Sequence, residues 1–91
     1  MTSFETVTLD NAVVTDWCKA QIGQLLNTSP SSVDAHKDFS ELGLDSSLAV
    51  SLLIEIEQAY GVEISAEELF ENPSITAVAG LIVARSRKPR A

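Results

Sequence analysis

The stretch Ser46–Tyr60 constrains the fold more than any other part of the chain. At 100° per residue, most of its apolar side chains fall on one side of a helix, with polar side chains opposite. Gly61 follows, and glycine readily adopts the left-handed conformation that ends helices. We predict a helix over Ser46–Tyr60 whose core face consists of Ala49, Leu52, Leu53, Ile56 and Tyr60.

Three further helices are predicted from spacing and capping patterns. The first covers Asn11–Leu26, with Asp10 or Asn11 as its cap. A short helix begins after Ser65, which forms a capping-box pattern with Glu68. A last helix runs from Ile75 to about Arg85. The apolar residues expected near one face of the first helix are Ala12, Val13, Trp17, Ala20, Ile22, Leu25 and Leu26.

The segment from Thr28 to Asp45 is polar and is predicted to be a long loop, pinned to the core by Phe39, Leu42 and Leu44. No stretch has a convincing strand pattern, so the predicted fold class is all-α, a small bundle of three longer helices plus one short helix. We expect a flexible N-terminus over residues 1–9, a folded domain over 10–85 and a basic disordered tail over 86–91.

Length and composition exclude several classes of protein. A chain of 91 residues makes one small domain with little room for a deep catalytic pocket. The single cysteine, Cys18, allows no internal disulfide, so a reducing compartment and a cytoplasmic location are expected. The polar N-terminus does not resemble a signal peptide, and no apolar run is long enough to span a membrane.

The charge is unevenly distributed. Up to Ala84 the chain has two basic residues against thirteen acidic ones, and four basic residues lie in the last seven positions. An acidic body argues against nucleic acid as a partner and favours basic protein surfaces. The alternative is that the acidic residues only confer solubility.

Ser46 directly follows Asp45, where the polar segment meets the apolar helix. A hydroxyl at a helix N-terminus is exposed, and the free N–H groups and the helix dipole there favour a phosphate ester. Ser46 is therefore a candidate attachment point for a phosphorylated prosthetic group. The alternative is that its side chain only caps the helix.

Val50 and Ile54 lie four and eight residues after Ser46, outside the predicted core face. Exposed apolar residues beside an exposed hydroxyl indicate a docking surface, unless the preceding loop covers them. Acidic residues surround them in sequence, which is typical of a transient docking site with electrostatic steering. The acidic residues are Asp45, Glu57, Glu63, Glu67, Glu68 and Glu71.

The run Asp38-Phe39-Ser40-Glu41-Leu42-Gly43-Leu44-Asp45-Ser46 resembles the attachment motif of the acyl carrier protein family. Further matches are Val50, Leu52, Ile56, Glu57, Tyr60–Ile64 and Asn72–Ile75, so the resemblance extends from the first helix to Arg85. It implies an acyl-carrier-like bundle, a carrier domain over 10–85, and a 4′-phosphopantetheine arm joined to Ser46 by a phosphodiester. Asp45 would shape the loop and meet the phosphopantetheinyl transferase that loads the arm from coenzyme A.

By the same resemblance the protein is a non-catalytic carrier that presents thioester-bound intermediates to acyl-loading, ketosynthase-type or acyltransferase-type enzymes. Leu44-Asp45 favours an acyl carrier over a peptidyl or aminoacyl carrier. Met1 and the short tail suggest a discrete protein, expected to be monomeric. The family usually has leucine and glutamate where this chain has Ser47 and Ser51, which favours a polyketide-type pathway over housekeeping fatty-acid synthesis.

These arguments assign partner recognition to residues of the central helix and its acidic surroundings, namely Ser47, Leu48, Val50, Ile54, Glu57, Glu67 and Glu68. No catalytic or metal-binding residues are expected: His36 lies in a polar segment without a catalytic signature, and the aspartates before Ser46 lack calcium-loop spacing. Two other functions stay open, an unmodified helical interaction module and, without a base or oxyanion signature, a hydrolase using Ser46.

Overall fold

A computed structural model describes residues 10–86, which contain five α-helices and no β-strand. The flexible N-terminus predicted for residues 1–9 and the basic tail from residue 87 onward lie outside the described residues. The helices are α1 (Asn11–Leu26), α2 (Phe39–Leu42), α3 (Ser46–Tyr60), α4 (Ala66–Glu71) and α5 (Ile75–Ser86), with a 3-10 helix over Pro30–Ser32. The all-α prediction is confirmed. No helix in this part of the chain is long and apolar enough to cross a membrane.

The capping residues set the helix boundaries. The Asp10 carboxylate accepts a hydrogen bond of 2.9 Å from the Val13 N–H, which fixes the start of α1. Gly61, in the left-handed conformation with φ 68°, ends α3 where the sequence predicted. Ser65 and Glu68 form the predicted capping box that opens α4. α5 continues to Ser86, one residue past the predicted end of the domain.

The prediction of a loop without regular structure from Thr28 to Asp45 was wrong. This segment contains the 3-10 helix and the four-residue helix α2, and its side chains Val33, Ala35 and Phe39 are buried. Long-range main-chain bonds fix it: the Phe39 N–H donates to the Pro73 carbonyl at 2.7 Å, and the Thr76 N–H donates to the Ala35 carbonyl at 3.2 Å. The connection before α3 is therefore anchored to the start of α5.

One hydrophobic core lies among α1, α3, α4 and α5, and α1 packs most extensively against α5. The predicted core face of α1 was partly wrong, because Ala12 and Val13 are exposed. Its buried apolar side chains are Val14, Cys18 and Ile22, at spacings of four. The core positions predicted for α3 are correct at Ala49, Leu52 and Ile56, whereas Leu53 and Tyr60 lie at the edge of the core.

Candidate functional site

Asp45 is the residue that caps α3. Its carboxylate oxygen Oδ1 accepts the Leu48 N–H at 2.9 Å, and its carbonyl accepts the Ala49 N–H at 2.8 Å. A side chain that satisfies an N-terminal N–H group in this way stabilises a helix by about 0.5–2 kcal/mol. The alternative role of Ser46 as the cap is therefore excluded, because Asp45 already performs it.

Ser46 is the first residue of α3, and its side chain is exposed. Its hydroxyl makes no hydrogen bond within residues 10–86, and the N–H groups of Ser46 and Ser47 donate none there either. The first N–H groups of a helix have no intrahelical acceptor and point along the positive end of the helix dipole. A free hydroxyl beside free N–H groups fits a covalently attached phosphate.

The turn before Ser46 is fixed by a buried leucine and a main-chain hydrogen bond. Gly43 adopts φ 96°, a left-handed conformation that ends α2. The next residue, Leu44, is buried in the core, and its N–H donates to the Phe39 carbonyl at 2.9 Å. This buried leucine places Asp45 and Ser46 at the surface immediately after an anchored residue.

Val50 and Ile54 are exposed on α3, with 48% and 49% of their surface accessible. With Ser46 they occupy one side of the helix at spacings of four residues, and we call Val50 and Ile54 the α3 patch. The expectation that they are exposed is confirmed, and the preceding connection does not cover them. Of their predicted companions, Ser47 is exposed, whereas Leu48 packs partly against the core.

An open groove of about 410 Å³ lies beside the α3 patch, between α3 and the segment that leads into α4. Leu53 and Ile64 provide its apolar lining, and the acidic residues Glu57, Glu63 and Glu68 surround them. We call this the acidic groove; Ser65 also lines it. The sequence predicted Glu57 as a recognition residue. It assigned Leu53 to the core, because the helical period places Leu53 on the apolar face of α3.

Besides the predicted capping box, Glu68 has a second structural role that the sequence did not indicate, an ion pair with Arg85. Both oxygens of its carboxylate accept hydrogen bonds from the Arg85 guanidinium, and Oε1 also accepts the Ser65 N–H at 3.0 Å. Arg85 donates in addition to the Glu63 carbonyl at 2.9 Å. The hydrogen bonds from Arg85, and then from the Ser65 N–H, lower the pKa of the Glu68 carboxyl to about 2. The end of α5 is thereby joined to α4.

The outer side of α4 carries Glu67, one of the predicted recognition residues, and Phe70, both of them exposed. Phe70 has 63% of its surface accessible, the highest value among the large exposed hydrophobic residues of the described chain. Sequence reasoning missed Phe70, because α4 has only six residues and no resolvable apolar period.

Cys18 is not a catalytic thiol. Its side chain is buried in the core, and burial raises the pKa of the thiol to about 12. The reactive form of cysteine is the thiolate, so Cys18 is inert at neutral pH. Trp17 and Tyr60 pack edge-to-face with ring centroids 5.1 Å apart and close this side of the core. Within residues 10–86, no group of three or more histidine, cysteine or carboxylate side chains could hold a metal ion.

The model of the phosphopantetheine attachment site family matches residues 16–82, most of the chain. The chain belongs to this family. It is thus a carrier protein, non-catalytic itself, whose prosthetic group is covalently attached 4′-phosphopantetheine. The match includes the whole of α3 and its cap.

Similar proteins agree with this assignment. The acyl carrier protein TtuC of Teredinibacter turnerae is 33% identical over 87 residues, which cover 93% of this chain and 100% of TtuC. The highly reducing polyketide synthase NEC1 of Pyricularia oryzae is 38% identical over 76 residues, 84% of this chain but only 3% of that synthase.

Among solved structures, the HMG-ACPI domain from the CurA module of Lyngbya majuscula has a TM-score of 0.80 and 25% identity, over 87% of this chain and 80% of that one. A free-standing peptidyl carrier protein of Acinetobacter baumannii has a TM-score of 0.81 at 24% identity, over 86% of this chain and 98% of that one. The second likeness concerns the fold alone. The carrier protein thus has the fold seen in solved acyl and peptidyl carriers.

Proposed function

We propose that this carrier protein holds acyl intermediates of polyketide-type synthesis as thioesters on an arm attached to Ser46. One observation carries the choice of residue: the Ser46 hydroxyl is exposed at the first residue of α3 and makes no hydrogen bond within residues 10–86, while Asp45 performs the capping. The choice of pathway rests on the acyl carrier and polyketide synthase relatives. A fatty-acid-type pathway is the nearest competing assignment.

The residues around Ser46 are suited to holding a phosphodiester. Ser46 supplies the ester oxygen, and the free N–H groups of Ser46 and Ser47 stabilise the negative charge of the phosphate. When attached, the group supplies a terminal thiol that bears the acyl chain. Catalysis comes from the transferase that loads the arm and from the enzymes that process the cargo.

The α3 patch is the proposed centre of partner docking. Val50 and Ile54 offer apolar contact area close to Ser46, and the carboxylates of Glu57 and Glu67 give the surroundings a negative potential. The proposed partners are a phosphopantetheinyl transferase and acyl-loading, ketosynthase-type or acyltransferase-type enzymes with basic docking surfaces. Ser47 and Leu48 would contact them near the arm. Glu68, which the sequence placed among the recognition residues, is not proposed to contact a partner. Its carboxylate already accepts hydrogen bonds from Arg85 and from the Ser65 N–H.

The experiment that tests attachment is the intact mass after incubation with coenzyme A and an active transferase. The wild-type chain and Ser47→Ala gain the mass of one arm, whereas Ser46→Ala gains none. Because Cys18 is buried, thiol titration of the native protein provides a second readout. The unmodified chain exposes no fast-reacting thiol, and the modified chain exposes one.

An unchanged mass of the wild-type chain would contradict the carrier assignment. If Ser46→Ala gains the arm and Ser47→Ala does not, the attachment site is Ser47 instead of Ser46. If a partner enzyme binds equally well to the wild-type chain and to Ser46→Ala, and neither is modified, the protein is an unmodified interaction module. Sedimentation of the modified chain tests the proposed monomeric state. The proposed cytoplasmic location is tested by fractionation of the producing cell.

A further inference from the structure

The structure places one end of the acidic groove beside the C-terminal end of α5. Arg85, in the last turn of α5, hydrogen-bonds Glu68 and the carbonyl of Glu63, and both of these residues line the groove. Arg85, the first of the four basic residues in the last seven positions of the sequence, is thus already bound at the rim. Arg87–Arg90 directly follow Ser86, the last described residue of α5, so they are joined to the domain beside this rim.

We infer that the basic segment Arg87–Arg90 of the same chain occupies the acidic groove and shields it from the basic surfaces of partner proteins. The segment contains three cationic residues, Arg87, Lys88 and Arg90, whereas Glu57 and Glu63 on the groove form no ion pair within residues 10–86. Charge of opposite sign therefore lies next to the groove in the same chain. The inference is independent of arm attachment at Ser46.

The segment begins two residues after Arg85, whose guanidinium already contacts Glu68 of the groove. Four residues span up to roughly 13–14 Å when extended. Glu68 and Glu57 both line the groove, and Arg85 already contacts Glu68, so the segment after Ser86 is proposed to extend along the groove toward Glu57 on α3. The aliphatic stems of arginine and lysine can also cover Leu53 and Ile64 while their charged ends meet the carboxylates.

Connection within one chain favours this occupant over a separate molecule. A short tether gives the segment an effective concentration in the millimolar range at the groove, so weak exposed ion pairs suffice to keep it there part of the time. A partner with a basic docking surface must displace it. The segment thus competes with the partner for the acidic groove. Higher ionic strength weakens the attraction of both the segment and the partner to the groove.

Paramagnetic relaxation tests the position of the segment in the full chain. A nitroxide is attached to Ala91→Cys in a Ser46→Ala background, where no arm thiol competes for the label and Cys18 is protected by burial. The matched control has the same label and carries Arg87→Gln, Lys88→Gln and Arg90→Gln. Both tails have equal length, so differences between the spectra report the charges alone.

We expect the amide signals of Leu53, Glu57 and Glu63 to relax at least about twofold faster with the native tail than with the neutral tail. The difference should disappear in about 0.5 M salt, where the Debye length falls to a few ångströms. Equal relaxation with both tails, or a charge-dependent effect located elsewhere, would overturn the inference. Faster relaxation in a mixture of labelled and isotope-enriched chains would instead assign the groove to the tail of a second copy and would also overturn it.

Discussion

The Arg85 guanidinium hydrogen-bonds both carboxylate oxygens of Glu68, seventeen residues earlier in the chain. The pair joins the last turn of α5 to the first turn of α4, and Glu68 at the same time closes the capping box with Ser65. One carboxylate therefore supports a helix end and a contact between two helices.

The first prediction is that Glu68 contributes a pH-dependent part of the stability. Its pKa is lowered from an ordinary value of 4.5 to about 2 in the folded protein, mainly by the hydrogen bonds from Arg85. A lowered pKa stabilises the fold above the unfolded value, and that stability is lost as the pH falls toward the folded value. The melting temperature of wild type should exceed that of Glu68→Gln at pH 6, and the gap should narrow from about pH 4.5 to 2.

Glu67→Gln is the control for this experiment, because it removes a neighbouring carboxylate that forms no ion pair within the described residues. Thermal unfolding of the three proteins from pH 7 to pH 2 provides the measurement. A gap between wild type and Glu68→Gln that stays constant over this range would show that the ion pair is not the cause.

The second prediction separates capping from charge at Asp45. Asp45→Ala removes the acceptor of the Leu48 N–H and should lower the free energy of unfolding by about 1 kcal/mol. Asparagine caps helices about as well as aspartate, so Asp45→Asn should stay within a few tenths of a kcal/mol of wild type. Urea denaturation measures both. Equal losses in the two variants would mean that the helix is stabilised by the negative charge of Asp45 and not by the capping hydrogen bond.

The third prediction compares two isoleucines on α3. Ile56 is fully buried and Ile54 is half exposed, so Ile56→Ala should cost about 2–5 kcal/mol of stability and Ile54→Ala less than about 1 kcal/mol. In the reaction with the transferase the order should reverse, once both proteins are folded: Ile54→Ala raises KM and Ile56→Ala leaves it near the wild-type value. An unchanged KM for Ile54→Ala would remove Ile54 from the proposed docking surface.

The fourth prediction concerns two glycines in helices. A Cβ at Gly23 would lie 2.8 Å from the Thr28 carbonyl oxygen, a main-chain atom of the turn that follows α1, whereas a Cβ at Gly80 would have nothing within 4 Å. Gly80→Ala should stabilise α5 by about 0.5–1 kcal/mol through helix propensity. Gly23→Ala should destabilise the protein, because the main chain after α1 must move. Equilibrium denaturation measures the free energy of unfolding of both variants. A Gly23→Ala protein more stable than wild type would contradict the close approach of the Thr28 carbonyl to position 23.

The parts of the structure that the sequence predicted are those set by local signals. The bounds of α3 follow from a clear apolar period closed by Gly61, and the start of α4 follows from its capping box. α2 was missed, because four residues are too few for a period, although Asp38 and Glu41 have capping-box spacing. The Glu41 carboxylate does accept the Asp38 N–H, at 3.3 Å.

Other features depend on contacts between distant residues, which a sequence pattern does not contain. The apolar residues at the start of α1 suggested a face that includes Val13, but the approach of α5 selects the face with Val14 and Cys18. The bond of Arg85 to Glu68 joins separate helices, so spacing alone left Glu68 among the recognition residues. At the candidate site, the exposure of Val50 and Ile54 was predictable, since it follows from the period of α3.

The bonds from Phe39 to Pro73 and from Thr76 to Ala35 have a consequence for how partners approach. They tie the segment before α3 to the start of α5, so Ser46 follows an anchored stretch of main chain. A protein that aligns with Val50 and Ile54 has, in the same movement, located the hydroxyl. With Val50 and Ile54 as the proposed docking surface and Ser46 as the proposed attachment site, the orientational search for the surface and the search for the reactive atom become a single event.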